Sequence, residues 1–325
     1  KDQDALLYEW AGVHADADDF KKADVLYRRL IREHPRSKLV SAAQFSLAES
    51  DLLAGQLAKA QATFQQVARS STAPAEIRQD ALFRLVGIAA ENKDWKQVRQ
   101  LGQSLLTGFP ESQHTWEVRF QLGQAALHLA DLPTATRELS AVVAQGDASG
   151  VGDTAWFEQV YVLLAEAQFR AKAYDAVTGT VRDFEEQRPQ SKVLYKAHEI
   201  LGRSLAKKPR PDFVGARQAF QRVIDSPDGR KTLTAARSHL QLADSFLLQK
   251  NYREAKKQFL AVQILYRYPE VQAPALFQAA SCQVQLKEFR GAVETFELLV
   301  KEFPQSSFAT KAKKRLPQLR RLIRS

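Results

Sequence analysis

The chain is poor in residues that would support several common kinds of protein. It has one cysteine, Cys282, and no methionine in 325 residues. A single thiol excludes an intramolecular disulfide framework and any metal site that needs several thiolates from one chain. No stretch approaches the roughly 18 to 20 apolar residues of a membrane-spanning helix, and the first ten residues lack the apolar segment of a signal peptide. We therefore expect the chain as given to be soluble, in either a reducing or an oxidising compartment.

Glycine and proline are also sparse, with 14 and 12 copies, and they stand at intervals. Runs of β-branched residues are absent, while Ala, Leu, Gln, Glu, Lys and Arg dominate. These are strong helix formers, so their summed propensity predicts helix nearly throughout. The fold class expected is all-α, built either as two domains or as one elongated array.

A repeated pattern runs along the chain: a helix, a short turn, a second helix that begins with an aromatic and a small residue, and often a proline. The small residue that opens the second helix recurs eight times at intervals of 37 to 41 residues, as Ala23, Ala60, Val98, Ala135, Ala176, Ala216, Ala255 and Ala292. Four residues later comes a large apolar residue in most copies, whereas repeats three and five have Gly102 and Thr180. Eight helical hairpins are predicted.

The last copy is the clearest. It carries Leu276, Ala280, Phe289, Ala292, Phe296, Leu299 and Pro304 at the spacings of the tetratricopeptide consensus. The chain resembles the tetratricopeptide repeat (TPR) family on these residues. The resemblance implies a right-handed superhelical solenoid of about eight hairpins over residues 1–306, followed by a basic capping helix at 307–325. The Gly-rich segment 145–153 is the predicted hinge.

Phrases such as EQRPQSKVLYKAHEILG and KEFPQSSFATKAKKRL, in which Pro-x-Ser closes one hairpin and starts the next, resemble extracytoplasmic bacterial TPR proteins. In particular they are similar to the periplasmic coordinator of the Tol-Pal system and to the helical lipoproteins of outer-membrane protein assembly. This likeness implies a periplasmic or other cell-envelope location; a cytoplasmic one stays open.

The TPR resemblance also implies that first helices line a concave groove. The position that faces it lies three residues before the first-helix residue that precedes the second-helix small residue by twelve positions, such as Ala11 for Ala23. That position is aromatic in six of eight repeats, Tyr8, Phe45, Phe83, Phe120, Tyr161 and Phe277, and Leu201 and Leu240 in the others. Polar candidates one turn further on are Glu49, Gln124 and Asp244. These residues predict a groove for an extended or helical apolar peptide. The alternative is that the rings are core, buried between neighbouring helices.

The net charge of +10 is concentrated at one end. The final fifteen residues hold Lys311, Lys313, Lys314, Arg315, Arg320, Arg321 and Arg324 and no acid, which leaves +3 for the other 310 residues. Ala309, Ala312, Leu316, Leu319 and Ile323 form an apolar stripe on the same segment, as a capping helix requires. The basic residues are then either its solvated back or a contact to phosphate head groups, nucleic acid or an acidic partner.

No constellation typical of catalysis is found. The six histidines lie singly in different repeats, and Cys282 lies inside a first helix, where a buried thiol is inert. Asp16, Asp18 and Asp19 lack the Gly and Glu of a calcium loop, so Asp19, like Asp94, is predicted to cap a helix. We expect a non-catalytic scaffold without a cofactor that binds a protein or peptide. The alternatives are a binder of nucleic acid or an anionic surface through the tail, and a self-assembling structural spacer.

Overall fold

The computed structural model describes residues 3–146 and 150–324, with the side chains of residues 151 and 324 outside that description. The regular structure of the described residues is helical, with seventeen α-helices, a short 3-10 turn at Val151–Asp153 and no β-strand. The helices are α1 Gln3–Asp16, α2 Phe20–Glu33, α3 Val40–Leu53, α4 Leu57–Arg69, α5 Ala75–Glu91, α6 Trp95–Gly108, α7 Thr115–His128, α8 Leu132–Gln145, α9 Phe157–Arg170, α10 Tyr174–Gln187, α11 Leu194–Lys207, α12 Phe213–Asp225, α13 Leu233–Leu248, α14 Tyr252–Leu265, α15 Pro269–Gln285, α16 Phe289–Glu302 and α17 Ser307–Arg324.

Consecutive helices pair into eight hairpins, and α17 packs on the last one. The predicted fold class, an all-α solenoid of helical hairpins with a C-terminal helix, is confirmed. The chain divides into two compact units, residues 1–151 (unit 1) and 152–325 (unit 2). Each unit contains four hairpins, and unit 2 also contains α17. The predicted hinge spans the boundary, its residues 147–149 lie outside the described residues, and it stays a prediction.

One turn geometry joins the helices of most hairpins. A single residue with positive φ follows the first helix, and the next residues begin the second. Gly55 fills this position in hairpin two, where glycine costs no strain. The other copies place a side chain there, namely Asp18, Lys93, Ala130, Lys172, Lys250 and Lys287. Aspartate capping follows as predicted, since Asp19 and Asp94 accept hydrogen bonds from the backbone N–H of Lys22 and Gln97.

The core of most hairpins is a large side chain from the second helix packed against a small residue of the first. In hairpin four a methyl on Gly123 would lie 2.5 Å from Leu139 Cγ, and Leu139 is fully buried. In unit 2, Phe259 and Phe296 are likewise fully buried. Because the space is filled, neither partner can grow or shrink without cost.

The two irregular repeats fill this space in other ways. A methyl on Gly102 would lie 2.9 Å from Leu122, so the next first helix supplies the missing bulk. In hairpin five the buried Thr180 hydroxyl donates to Gln168 Oε1 at 2.9 Å. One turn later, Phe184 stacks on Tyr161, with ring centroids 4.7 Å apart. Both repeats keep a closed core.

The helix α17 buries its predicted apolar stripe. Ala309, Ala312, Leu316 and Leu319 are buried against α15 and α16, and Ile323 packs on the same cluster. Pro317 lies inside the helix. The predicted packing of this apolar stripe on the last hairpin is therefore observed in unit 2.

Candidate functional site: a cavity on the first helices of unit 1

The first helices α3, α5 and α7 of unit 1 enclose an open cavity of about 620 Å³. Its wall is lined by Leu52, Phe83, Arg84, Val86, Gly87, Ile88, Ala90, Glu91, Glu117 and Gln121. All of these belong to first helices, so the cavity lies on the face that the repeat pattern assigns to a groove. A volume of this size admits several side chains of a peptide.

Gly87 lies at the wall of this cavity with free space in front of it. A methyl added there would meet no atom within 4 Å. Glycine in the interior of a helix costs roughly 0.5–1 kcal/mol relative to alanine, and no turn or close packing explains it at this position. The missing side chain leaves the cavity wider at this position.

The cavity wall carries more acidic than basic side chains. Arg84 reaches from α5 to Glu49 on α3, with 2.7 Å between guanidinium and carboxylate. Burial raises the pKa of Glu49, an effect that Arg84 opposes. Burial also raises the pKa of Glu117, and the nearby His114 and Arg84 oppose this rise. Glu91 and Glu117 line the cavity together with one guanidinium, that of Arg84, which is already paired with Glu49, so the cavity favours a cationic group.

One side of the cavity is held rigid by a stacked pair. The Phe83 ring lies 4.0 Å from the imidazole of His114, and the planes are within 3° of parallel. His114 Nε2 lies 2.7 Å from Asp80 Oδ1, so the imidazole is held from α5 as well. Phe83 also lines the cavity. It is the one predicted groove ring that lines this cavity.

The other predicted groove rings pack inside hairpins. Tyr8 and Phe45 are half-buried against Tyr27 and Phe64, with ring centroids 5.6 and 5.4 Å apart. Phe120, Tyr161 and Phe277 are buried. Their faces are covered in this conformation, so these three rings belong to the core. A binding role stays a prediction for all six rings.

The three polar candidates have different surroundings. Glu49 pairs with Arg84 beside the cavity. Gln124 is half-buried on α7. Asp244 is half-buried on α13 of unit 2, and burial raises its pKa to about 6. The structure therefore places Glu49 at the cavity and Asp244 in the other unit.

The basic residues of α17 are exposed but only partly free. Arg315 lies over the Phe277 ring and donates to Ser281 Oγ, Arg320 pairs with Glu297 at 2.6 Å, and Lys311 lies over Phe308. Lys313, Lys314 and Arg321 are exposed. The predicted Arg324 has its side chain outside the described residues. The binding role of this tail stays a prediction.

Sequence reasoning missed Arg84, Gly87, Glu91 and Glu117 as a group. Their positions differ within the repeat, and only the stacking of three first helices brings them together. A signal was available for Gly87, which is a helix-interior glycine where repeats two and four carry Glu49 and Gln124. Among the described residues, no helix is long and apolar enough to cross a membrane, and no three acidic, histidine or cysteine side chains could hold a metal ion.

Comparisons with known proteins agree with this architecture. A tetratricopeptide-repeat family model matches residues 274–306. No curated protein matches the sequence. A tetratricopeptide repeat protein from Parabacteroides merdae ATCC 43184 is similar in structure, with a TM-score of 0.50 and 16% identity over 86% of this chain and 99% of that one.

Two further solved structures are similar. The apo form of the quorum sensor NprR from B. thuringiensis gives a TM-score of 0.51 and 12% identity, over 86% of this chain and 80% of that chain. A signal-transduction ATPase from Pyrococcus horikoshii with a tetratricopeptide repeat sensor gives 0.54 and 14%, over 86% of this chain and 43% of that one. At these identities the likeness shows the fold alone: an array of TPR-type hairpins, an architecture commonly used to bind other proteins.

Proposed function

We propose that this protein is a non-catalytic scaffold that binds a peptide segment of a partner protein in the first-helix cavity of unit 1. The observation that carries the proposal is the cavity of about 620 Å³ on α3, α5 and α7, opened by Gly87. Repeat proteins of this fold present such faces to extended or helical peptides, and the function resides in the exposed positions and not in the fold.

The charges of the cavity define the chemistry of the partner. Glu91 and Glu117 face the space, and Arg84 is already paired with Glu49. A lysine or arginine side chain would gain charge-assisted hydrogen bonds to these carboxylates in a partly desolvated site. Leu52, Ile88 and Phe83 offer apolar surface beside them. The favoured segment therefore carries a basic residue next to apolar ones.

A peptide selection tests this proposal with a defined probe. A displayed library of random twelve-residue peptides is selected on the immobilised full chain, and the affinity of the enriched peptides is measured by calorimetry. The test variant is Gly87→Leu, which places a bulky side chain at the cavity wall, where an added methyl meets nothing within 4 Å. The matched control is Gly179→Leu on α10, where an added methyl also meets nothing within 4 Å.

We expect enriched peptides to be rich in Lys or Arg with apolar neighbours. Gly87→Leu should weaken their binding at least tenfold, while Gly179→Leu should leave it unchanged. Glu117→Gln should weaken it about tenfold, since one charged hydrogen bond contributes about 1.5 kcal/mol. Equal affinity for the Gly87→Leu variant and the unaltered chain would refute the cavity as the binding site.

We further propose that the scaffold works in a bacterial envelope complex, outside the cytoplasm. The support is the resemblance of its Pro-x-Ser hairpin junctions to the periplasmic Tol-Pal coordinator and the outer-membrane assembly lipoproteins. Fractionation of the source cells, with a tagged chain followed by immunoblotting, tests this location. Recovery with the cytoplasmic marker would contradict it.

A further inference from the structure

The hairpin turns of unit 2 form one continuous edge. Lys208 in the α11–α12 loop pairs with Asp175 at the start of α10, at 2.6 Å. Arg217 at the start of α12 donates to Gln249 in the α13–α14 turn, at 2.7 Å. Lys256 near the start of α14 pairs with Glu288 in the α15–α16 turn, at 2.7 Å. These three contacts link four successive turns side by side.

The last helix ends at the same edge. Ile323 near the end of α17 and Phe289 at the start of α16 pack on one apolar cluster. The final turn of α17 therefore lies beside the α15–α16 turn. We name the four linked turns and the end of α17 the turn edge of unit 2.

The exposed charges of this turn edge are mainly positive. Lys172, Lys250 and Lys287 occupy the positive-φ positions of three turns, and all three are exposed. Exposed bases also include Lys207, Arg210, Arg253, Arg290 and Arg321. The acids of the turns are largely engaged, because Asp175 and Glu288 are ion-paired and Asp212 accepts from the backbone N–H of Gly215. The turn edge thus carries a surplus of cations, of which Lys207 lies over the Phe169 ring.

Large apolar side chains stand among these cations in contact with solvent. Leu248, next to the α13–α14 turn, is 69% exposed, Val214 at the start of α12 is 58% exposed, and Leu322 is 53% exposed. Packing within unit 2 does not account for their exposure. Lysine beside exposed aliphatic groups suits an anionic bilayer, where the ammonium groups meet phosphates and the aliphatic groups enter the interface. Nucleic acid is instead bound by arginine and stacked aromatic rings, and no aromatic side chain of this edge is exposed as these residues are.

We propose that the turn edge of unit 2 is a docking surface for anionic lipid membranes. The array would lie with its turns on the head groups, held by several lysines and by shallow insertion of Leu248 and Val214. This binding is independent of the cavity in unit 1. It also differs from a role of the outward face of α17 alone, since most of its contacts come from the hairpin turns.

Vesicle co-sedimentation of the full chain tests the proposal. The probes are vesicles of phosphatidylcholine alone and of phosphatidylcholine with 30% phosphatidylglycerol, at about 50 and 200 mM salt. The test variant is Lys172→Glu, Lys250→Glu, Lys287→Glu. The matched control is Lys192→Glu, Lys231→Glu, Lys301→Glu, which makes the same charge change at exposed lysines at the opposite ends of the helices, two on loops and Lys301 in the last turn of α16.

We expect binding to anionic vesicles only, with a partition coefficient roughly 100-fold lower for the turn-edge variant, since each lysine near the surface contributes about 1 kcal/mol. The control should lose less than about tenfold. Leu248→Ser should lower the binding that survives at 200 mM salt, while Leu265→Ser, 61% exposed at the end of α14, should not.

Three results would overturn the proposal. They are the absence of binding to anionic vesicles, an equal loss in the control variant, and tight binding to single-stranded RNA or duplex DNA without binding to vesicles. Circular dichroism of each variant excludes unfolding as the cause of a loss. Because peptide affinity in unit 1 is measured separately with Gly87→Leu, failure here leaves the proposed cavity function untouched.

Discussion

Unit 1 and unit 2 use the same hairpin, yet they expose opposite charge. Residues 1–151 hold 17 Lys and Arg against 19 Asp and Glu, whereas residues 152–325 hold 30 against 18. The turn position with positive φ also differs between the units. In unit 1 it is occupied by Asp18, Gly55, Lys93 and Ala130. In unit 2 all three residues at this position are lysines, namely Lys172, Lys250 and Lys287. Packing constrains the buried residues of both units alike. The exposed positions are free to diverge, and they carry the functions proposed for each unit.

The two units also treat their first helices differently. In unit 1, α3, α5 and α7 line an open cavity whose wall carries Glu91, Glu117 and Arg84. In unit 2, Arg203 lies 4.2 Å from the Phe169 centroid and also pairs with Glu166 and Glu199. Unit 1 has a comparable contact, since Arg119 lies 5.8 Å from the Trp116 centroid. The surface on which the function proposed for unit 1 rests is therefore its cavity.

The largest effect is expected in the hairpin core, which the two units share. Phe64→Ala in unit 1 and Phe259→Ala in unit 2 each remove a fully buried ring, so each should lower the free energy of unfolding by about 3–5 kcal/mol. Urea unfolding followed by circular dichroism measures this. A cost near zero in one unit would show that its core is not packed as described.

The second largest effect is expected for a buried carboxyl group of unit 2, that of Asp244. Burial raises the pKa of Asp244 to about 6, so the folded state disfavours its carboxylate form. The penalty is present above pH 6 and is relieved as the pH falls toward 4, because the folded protein takes up the proton before the unfolded chain does. Asp244→Asn should therefore stabilise the protein by about 2 kcal/mol at pH 7.5, with the gain vanishing near pH 4.

Gln124 supplies the control for this prediction, since it occupies the same repeat position in unit 1 without a charge. Gln124→Asn should give a stability change that does not depend on pH. Urea unfolding at pH 4, 6 and 7.5 follows both variants. A gain for Asp244→Asn that persists at pH 4 would contradict the assigned cause.

A smaller effect is expected at the turns. Lys250 has a φ of 59°, where a side chain is strained, and Gly55 has a φ of 73° at the equivalent turn of unit 1. Lys250→Gly should raise the free energy of unfolding by about 0.5–1 kcal/mol, and Gly55→Lys should lower it by a similar amount. Thermal unfolding of both variants at one pH compares them. Changes of the same sign would be inconsistent with strain as the reason.

The smallest effect is expected for exposed ion pairs. Arg222 and Glu185 approach within 2.8 Å but both side chains are exposed. Arg222→Ala should change the free energy of unfolding by less than about 0.5 kcal/mol. The measurement is urea unfolding at about 50 and 500 mM salt. A loss above 1 kcal/mol would mean that charge pairing contributes far more to unit 2 than packing suggests.

Much of the fold could be predicted from the sequence because local rules control it. The phase of the small residues placed every hairpin, and Asp19 and Asp94 were identified as caps from their position before Phe20 and Trp95. The groove was harder to predict. Phe83 lines a cavity while Phe120 and Tyr161 are buried, although all three share one repeat position. Their exposure depends on the side chains that neighbouring helices supply, such as Phe184 for Tyr161.

The positive charges of unit 2 were also only partly predictable. The basic cluster at the C-terminus can be recognised in the sequence because its residues are contiguous. The turn lysines of unit 2 are far apart in sequence, and only the contacts between successive turns bring them to one edge. Long-range stacking of repeats thus creates both proposed surfaces.

The central claim, that unit 1 takes its partner in the first-helix cavity, can be tested with one fluorescent label. Gly87→Cys places a thiol where an added methyl meets nothing, whereas the single native thiol, Cys282, is buried and burial raises its pKa to about 11. A fluorescent maleimide should therefore label position 87 alone. When a selected Lys-containing peptide fills the cavity, the account predicts slower labelling of the thiol at position 87 and an unchanged labelling rate for Gly179→Cys. Slower labelling at position 179 with an unchanged rate at position 87 would contradict it.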